Sequence, residues 1–348
     1  MPELDVWQAI GDELGAGGSC GLLVVARAGA EAPARPGMVM AVTGSGPLRG
    51  TVGGGAVEED LVARTAATLR AGLRRAELLT LAWPTDPGDH TAVLAPDPED
   101  PSIADPTDAF SSTDPADLAD LASAAWIGPL GSGDVTVVAV PLGPSDLPGV
   151  RRVVEALVAG RPVEWCADPG GWRVVMEGLS PGVGLVGQGR HFSYAQRSGP
   201  THSVHLIGAG HVAQALGPLL VGLDFRVVIV DERAQADLAG ISAHERLRLA
   251  YDDLASVVPT GPASFAAVMG HSLARDAAAL AALERLELGY LGLLGGPATV
   301  QRLVADRAMP AWFHGPMGLP IGSASPAEIA VGIAAEMVAV RSTSALPA

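Results

Sequence analysis

The stretch HSVHLIGAGHVAQALGPLLVGLDFRVVIVDER, His202 to Arg233, constrains this chain more than any other. The apolar run Val204 to Ile207 ends in Gly208-Ala209-Gly210, and an uncharged helical stretch follows from His211 to about Leu223. Gly222 and Asp224 break that helix, and Phe225 to Val230 reads as a second buried strand ending at Asp231. Strand, glycine turn, helix, strand and acid is the order of a mononucleotide-binding βαβ unit. The glycines let the backbone turn tightly and approach a phosphate, to which the helix N-terminus presents free N–H groups and a positive dipole end. Asp231 falls where a carboxylate accepts hydrogen bonds from ribose hydroxyls and repels a 2′-phosphate, which favours NAD or another adenine nucleotide over NADP. Ala213 takes the third fingerprint position, an allowed variant. His211 either touches a phosphate or caps the turn. The competing reading is a unit that keeps its shape and binds nothing. The apolar stretch His205 to Leu223 is no membrane span, because two glycines, a histidine and Pro218 interrupt it.

A chain of 348 residues has room for two domains. It is 48% hydrophobic and only 4% aromatic, so Ala, Val and Leu build its core. A formal net charge of −16 argues against nucleic acid or an anionic membrane as partner. Every basic side chain is arginine, which excludes Schiff-base chemistry and a P-loop lysine. Cys20 and Cys166 lie far apart and match no metal spacing or disulfide framework. With no signal peptide legible in MPELDVWQAIGDEL, the expected compartment is the cytoplasm.

The fold class expected is α/β: an N-terminal α/β domain over residues 1–180, then a Rossmann-like, doubly wound parallel sheet over 200–345. In the first domain, Asp5 to Leu14 reads as a helix. Cys20–Ala28, Met38–Val42, Glu77–Ala82 and Val135–Val140 read as strands, with a helix from Val57 to about Ala71. A helix around Val150–Val158 and strands near Val163 and Val174 follow. Residues 84–120, rich in Pro, Asp and Ser, read as a mobile insertion. Gly178 to Pro200 reads as a connection. In the second domain, Ser264–Met269 and Tyr290–Leu294 are further strands and Leu273–Leu286 a helix. Ser325-Pro326-Ala327-Glu328 is a capping box opening the last helix. Glu336 sits at the edge of that helix's apolar stripe, where a buried partner is expected.

Gly53-Gly54-Gly55 is a second candidate anion site. Consecutive glycines permit a nest of backbone N–H groups at a helix start, and Arg49 precedes it. Glu58 and Glu59 in the first helical turn would compete with an anionic ligand. A tight turn that packs strand on helix is an equal reading.

Four segments together resemble the XdhC/CoxI family, accessory proteins of xanthine dehydrogenase and related molybdenum hydroxylases. They are GTVGGGAVEEDLV; HLIGAGHVAQAL with RVVIVDER; FAAVMGHSLARDAAALAALERLELGYLGLLGG; and HGPMGLPIGSASPAEIAVGIAAEMVA. The resemblance implies an XdhC-type N-terminal domain joined to a Rossmann domain. It further implies a cytoplasmic protein, commonly a homodimer, that binds molybdenum cofactor (molybdopterin) and protects it while its terminal sulfur is installed. Such a protein then helps insert the cofactor into an apo-hydroxylase, so its partners are the hydroxylase client and a sulfurase. Departures mark this as a diverged member. The family cysteine after the glycine pair is Ala56, so no thiolate stands there. The Ser-Arg-Arg-Lys stretch is Gly296-Pro297-Ala298-Thr299, the aspartate of the last motif is Pro320, and the Thr before the family histidine is Gly270.

Of the histidines, His271 falls at the C-terminal edge of a parallel strand, where open α/β sheets bind ligands, with Asp276 nearby. A helix-capping pair is the competing reading. His314 opens a Gly/Pro-rich loop expected near the Rossmann crevice. His90, His191, His202, His205 and His244 show no ligand spacing and read as structural. Metal held directly by side chains is not expected, and no carboxylate–histidine pair is legible in sequence. Besides cofactor chaperone, two other classes stay open: an NAD-dependent oxidoreductase using His271 or His314 as proton donor, and a nucleotide-sensing Rossmann module.

Overall fold

The computed structural model describes residues 2–72, 75–82, 93–94, 134–175, 184–188, 190–270 and 272–343. The chain divides into two compact units, one of residues 2–157 and 162–198, the other of 158–161 and 199–348 together with Met1.

The first unit opens with α1 (Pro2–Gly15), then β1 (Cys20–Ala28), β2 (Val39–Thr43), β3 (Gly46–Gly50), α2 (Gly55–Arg70), β4 (Glu77–Ala82), β5 (Val93–Leu94) and β6 (Asp134–Leu142). These strands form a sheet in the order β3-β2-β1-β6-β4-β5, every pair antiparallel. β1 and β6 are apolar at nearly every position because they lie at the centre of that sheet. One core gathers Leu23, Val25, Val42 and Val137 from the strands with Val57 and Leu61 from α2.

After α3 (Leu147–Val158) come β7 (Val163–Asp168), β8 (Gly171–Val175), β9 (Gly184–Gln188) and β10 (His191–Ser198), a second antiparallel sheet ordered β8-β7-β10-β9. The expected connection 178–200 therefore holds two paired strands among its described residues. In β10, Phe192, Tyr194, Gln196 and Ser198 are buried while their neighbours are less so, the period-2 pattern of a half-buried strand. Its polar letters hid that alternation. Trp165 packs edge-on against both Trp7 and Tyr194, and its indole donates to Ser198 at 2.9 Å. The insertion proposed for 84–120 lies outside the described residues, apart from β5.

The second unit carries β11 (His202–Ile207), α4 (His211–Gly222), β12 (Phe225–Val230), β13 (Glu245–Leu247), β14 (Gly261–Val268), α5 (Leu273–Leu283), β15 (Leu288–Leu293), α6 (Pro297–Val304), β16 (Phe313–His314) and α7 (Pro326–Thr343). The strand order is β13-β12-β11-β14-β15-β16, all parallel. Counted within the unit this is 3-2-1-4-5-6, the Rossmann order, with the switch point between β11 and β14. Both faces are covered. α4 and α7 pack on Val204, Leu206, Val227 and Tyr290, while α5 and α6 cover Ile207, Val228, Ala266 and Leu291. Burial on both faces is why these strands read as continuous apolar runs.

Candidate functional site

The glycine turn ends β11 at the switch point. Gly208 takes φ +108°, a conformation few L side chains adopt, and a Cβ there would lie 2.9 Å from the Met269 carbonyl oxygen. Gly210 is the N-cap of α4 in extended geometry, and no side chain caps the helix. The first-turn N–H groups therefore face the crevice without a side-chain acceptor, the arrangement that suits a phosphate. Ala213 is fully buried, which explains why a small residue at the third fingerprint position suffices for helix–strand contact. His211 is exposed at the first position of α4.

Asp231 is fully buried, and its oxygens are engaged. The Ala209 N–H, in the middle of the glycine turn, donates to Oδ2 at 2.8 Å. The Arg233 N–H donates to Oδ1 at 2.8 Å, and the Arg233 guanidinium closes on both oxygens, Nε at 3.0 Å from Oδ1 and Nη2 at 2.6 Å from Oδ2. Burial opposes the charge, but these hydrogen bonds outweigh it and hold the carboxyl below its ordinary range. The sequence placed Asp231 at the ribose position and gave Arg233 no role. The structure adds a cation over the acid. Next to this pair Arg275, in the first turn of α5, bonds Glu232 at 2.8 Å.

Asp276 is buried beneath the turn after β14, where a Cβ on Gly270 would run into its carboxylate. His271 lies outside the described residues. His202 and His205 are buried, and burial lowers the pKa of both, His205 to about 4. His244 accepts from the Val227 N–H at 3.0 Å, and His191 is exposed.

His314 does stand beside a carboxylate, which the sequence did not reveal. Glu336 of α7 accepts from the Tyr290 hydroxyl at 2.6 Å and the Gly318 N–H at 2.8 Å, and its other oxygen lies 3.4 Å from His314 Nδ1. The His314 and Tyr290 rings stack at 4.5 Å. Burial works against the Glu336 charge, yet the bonds from His314, Tyr290 and Gly318 hold the carboxyl below its ordinary range. Only the placement of Glu336 at the edge of the stripe signalled a partner, since the three residues come from three elements. His314 pairs in register with Gly292 on β15, so β16 stands three strands from β11, about 14 Å at the usual strand spacing. The cluster thus stands toward the opposite edge of the sheet from β13. It braces the 313–318 loop on α7.

In the first unit Gly53, Gly54 and Gly55 all take positive φ, at 127°, 79° and 67°. Backbone N–H groups of this turn converge on the chain's own carboxylate. Glu58 Oε2 accepts from the Val52 N–H at 2.9 Å and the Gly54 N–H at 3.0 Å, and the Thr51 hydroxyl donates to it as well. As folded, this segment does not fit the phosphate of a molybdopterin. Arg49 is exposed on β3. A cleft of about 280 Å³ in the same unit, which no motif announces, is lined by Arg64 and Arg75 over Leu69, Leu79 and Val140. No group of three or more His, Cys, Asp or Glu among the described residues is arranged to hold a metal ion. Both cysteines are buried and free.

A parallel 3-2-1-4-5-6 sheet with an uncapped glycine turn at its switch point defines a Rossmann-type protein carrying a second, antiparallel unit. Family models resolve the class further: residues 204–337 match the XdhC Rossmann domain, and residues 14–81 match the XdhC and CoxI family. The chain belongs to the XdhC/CoxI family. It is 29% identical over 150 residues to a probable xanthine dehydrogenase subunit from Bacillus subtilis (strain 168), a match covering 42% of this chain and 46% of that protein. The chain thus spans about half the length of the curated relative it matches. A crystal structure of a xanthine dehydrogenase from Bacillus halodurans shares the fold, with a TM-score of 0.66 at 17% identity over 99% of this chain and 96% of that one. No helix among the described residues is long and apolar enough to cross a membrane.

Proposed function

We propose that this protein is an accessory factor of a xanthine dehydrogenase-type molybdenum hydroxylase, binding the molybdenum cofactor and assisting its maturation or insertion in the cytoplasm. The observation that supports this reading is the pair of family matches, one in each unit of the chain. The partners are the apo-hydroxylase client and a sulfurase, and the working form is a homodimer. The cofactor, when bound, supplies the molybdenum centre of the client. This chain presents no thiol to the cofactor at the glycine segment, where residue 56 is alanine, and its two cysteines are buried.

In this reading the second unit binds an adenine nucleotide at the glycine turn, with Gly208, Gly210 and His211 around the phosphate and Asp231 bracing the turn. An oxidoreductase needs a proton donor beside a nicotinamide, and the His314–Glu336 pair stands on the far edge of the sheet from that turn. The test is mass spectrometry of small molecules that copurify from molybdenum-replete cells. A stoichiometric molybdopterin is the expected result. Its absence, with the client hydroxylase maturing normally in cells lacking this protein, removes the proposal.

A further inference from the structure

We propose that the crevice at the end of β11 selects a nucleotide carrying a phosphate monoester on its adenosine ribose, and that Arg233 reads that phosphate. This rests on the reading, given above, that the crevice binds an adenine nucleotide.

A ribose diol is recognised by a carboxylate with free lone pairs facing the ligand. Asp231 offers none. Its side chain has no exposed surface, Oδ2 holds the Ala209 N–H that shapes the turn, and Arg233 engages both oxygens. A diol would have to displace a charge-assisted pair at 2.6 Å and loosen the glycine turn as well. The group that meets a ligand here is the guanidinium, 25% exposed. It holds Asp231 side-on through Nε and Nη2. Of its five N–H donors, those of Nη1 and the outer proton of Nη2 remain, and among the described residues Nη1 has no acceptor. A planar fork with donors to spare matches a phosphate monoester better than a neutral diol. The acids here do not forbid that charge: Asp231 is answered by Arg233, and Glu232 by Arg275, which is 45% exposed on α5. The glycine turn and the start of α4 would hold the other phosphate of the same ligand.

The test is calorimetric titration of the full chain with adenosine 2′,5′-bisphosphate, 5′-AMP and inorganic phosphate, and with NADP against NAD. The expected result is binding of the 2′-phosphorylated ligands about tenfold or more tighter than their unphosphorylated counterparts. Arg233→Ala should abolish that preference and, by uncovering Asp231, improve 5′-AMP. Arg233→Lys, which keeps the charge without the fork, should fall between and carries the test should the alanine variant not fold. Equal binding of the two ligand series, or a preference for 5′-AMP, overturns this inference and leaves the nucleotide reading standing. Inorganic phosphate binding as tightly as the bisphosphate also overturns it, since adenosine would then contribute nothing. No binding of any nucleotide overturns the nucleotide reading itself.

Discussion

At the scale of single residues, burial decides what the reactive groups do. Burial, reinforced by Glu13 and Asp146, pushes the Cys20 thiol up to about 12, so almost none of it is thiolate at neutral pH. Cys166 is raised by burial too. A thiol reagent should label neither cysteine in the folded chain and both after denaturation. Rapid native labelling of Cys20 would show that the packing around β1 is looser than described. Glu336 behaves in the opposite sense. Its folded carboxyl lies below the ordinary 4.5, so the stability it contributes is complete above that value and drains away as pH falls through the folded one. Glu336→Gln should cost about 1–3 kcal/mol at neutral pH, because Tyr290 and Gly318 lose a charged acceptor. The gap between wild-type and variant melting temperatures should narrow as pH falls below the ordinary carboxyl value of 4.5. A gap that stays constant from neutral to acid pH would mean that Glu336 is not ionised in the fold.

At the scale of elements, local signals that serve one segment were legible, and those that join segments were not. The strands Cys20–Ala28, Glu77–Ala82 and Phe225–Val230 read directly from their apolar runs. The capping box did as well: Glu328 accepts from the Ser325 N–H at 2.9 Å and the Ser325 hydroxyl accepts from the Glu328 N–H at 3.3 Å. β10 was hidden because Gln196 and Ser198 are buried polar residues with internal partners, which no hydropathy pattern reports. Arg233 over Asp231 and Tyr290 beside Glu336 were hidden because their meaning depends on which side chain fills a space first. The glycine segment before α2 shows the same limit. Its φ angles follow from Gly-Gly-Gly, while its occupant, Glu58, comes from the next helical turn. Removing that occupant by Glu58→Ala should lower stability by about 1–3 kcal/mol. Added phosphate should raise the melting temperature of this variant more than that of wild type, since the vacated N–H groups then accept an outside anion. Equal phosphate effects on both proteins would reduce the segment to a turn. Gly54→Val should be destabilising by about 1–3 kcal/mol even though space surrounds the site, because φ +79° is hostile to a branched side chain.

At the scale of the whole molecule, the two units have separate cores and separate chemistry. The nucleotide recognition proposed here, with its glycine turn and its arginine, would belong to the second unit. Adenosine 2′,5′-bisphosphate at about a hundred times its dissociation constant should add about 2.7 kcal/mol to that unit. In a calorimetric scan the transition of the second unit should move upward while that of the first stays in place. Movement of the first transition alone would relocate the ligand to the antiparallel unit. The family assignment needed this scale too. The glycine turn alone is common to many Rossmann proteins, whereas four segments in order across both units are not.

The parallel sheet stops on each side in a strand of minimal length, three residues in β13 and two in β16. An edge so short leaves almost no row of unpaired amides for a foreign strand to continue. Any self-association of this unit would then have to use side-chain surfaces on its helices and loops. Sheet-to-sheet polymerisation seeded from these two edge strands is therefore disfavoured.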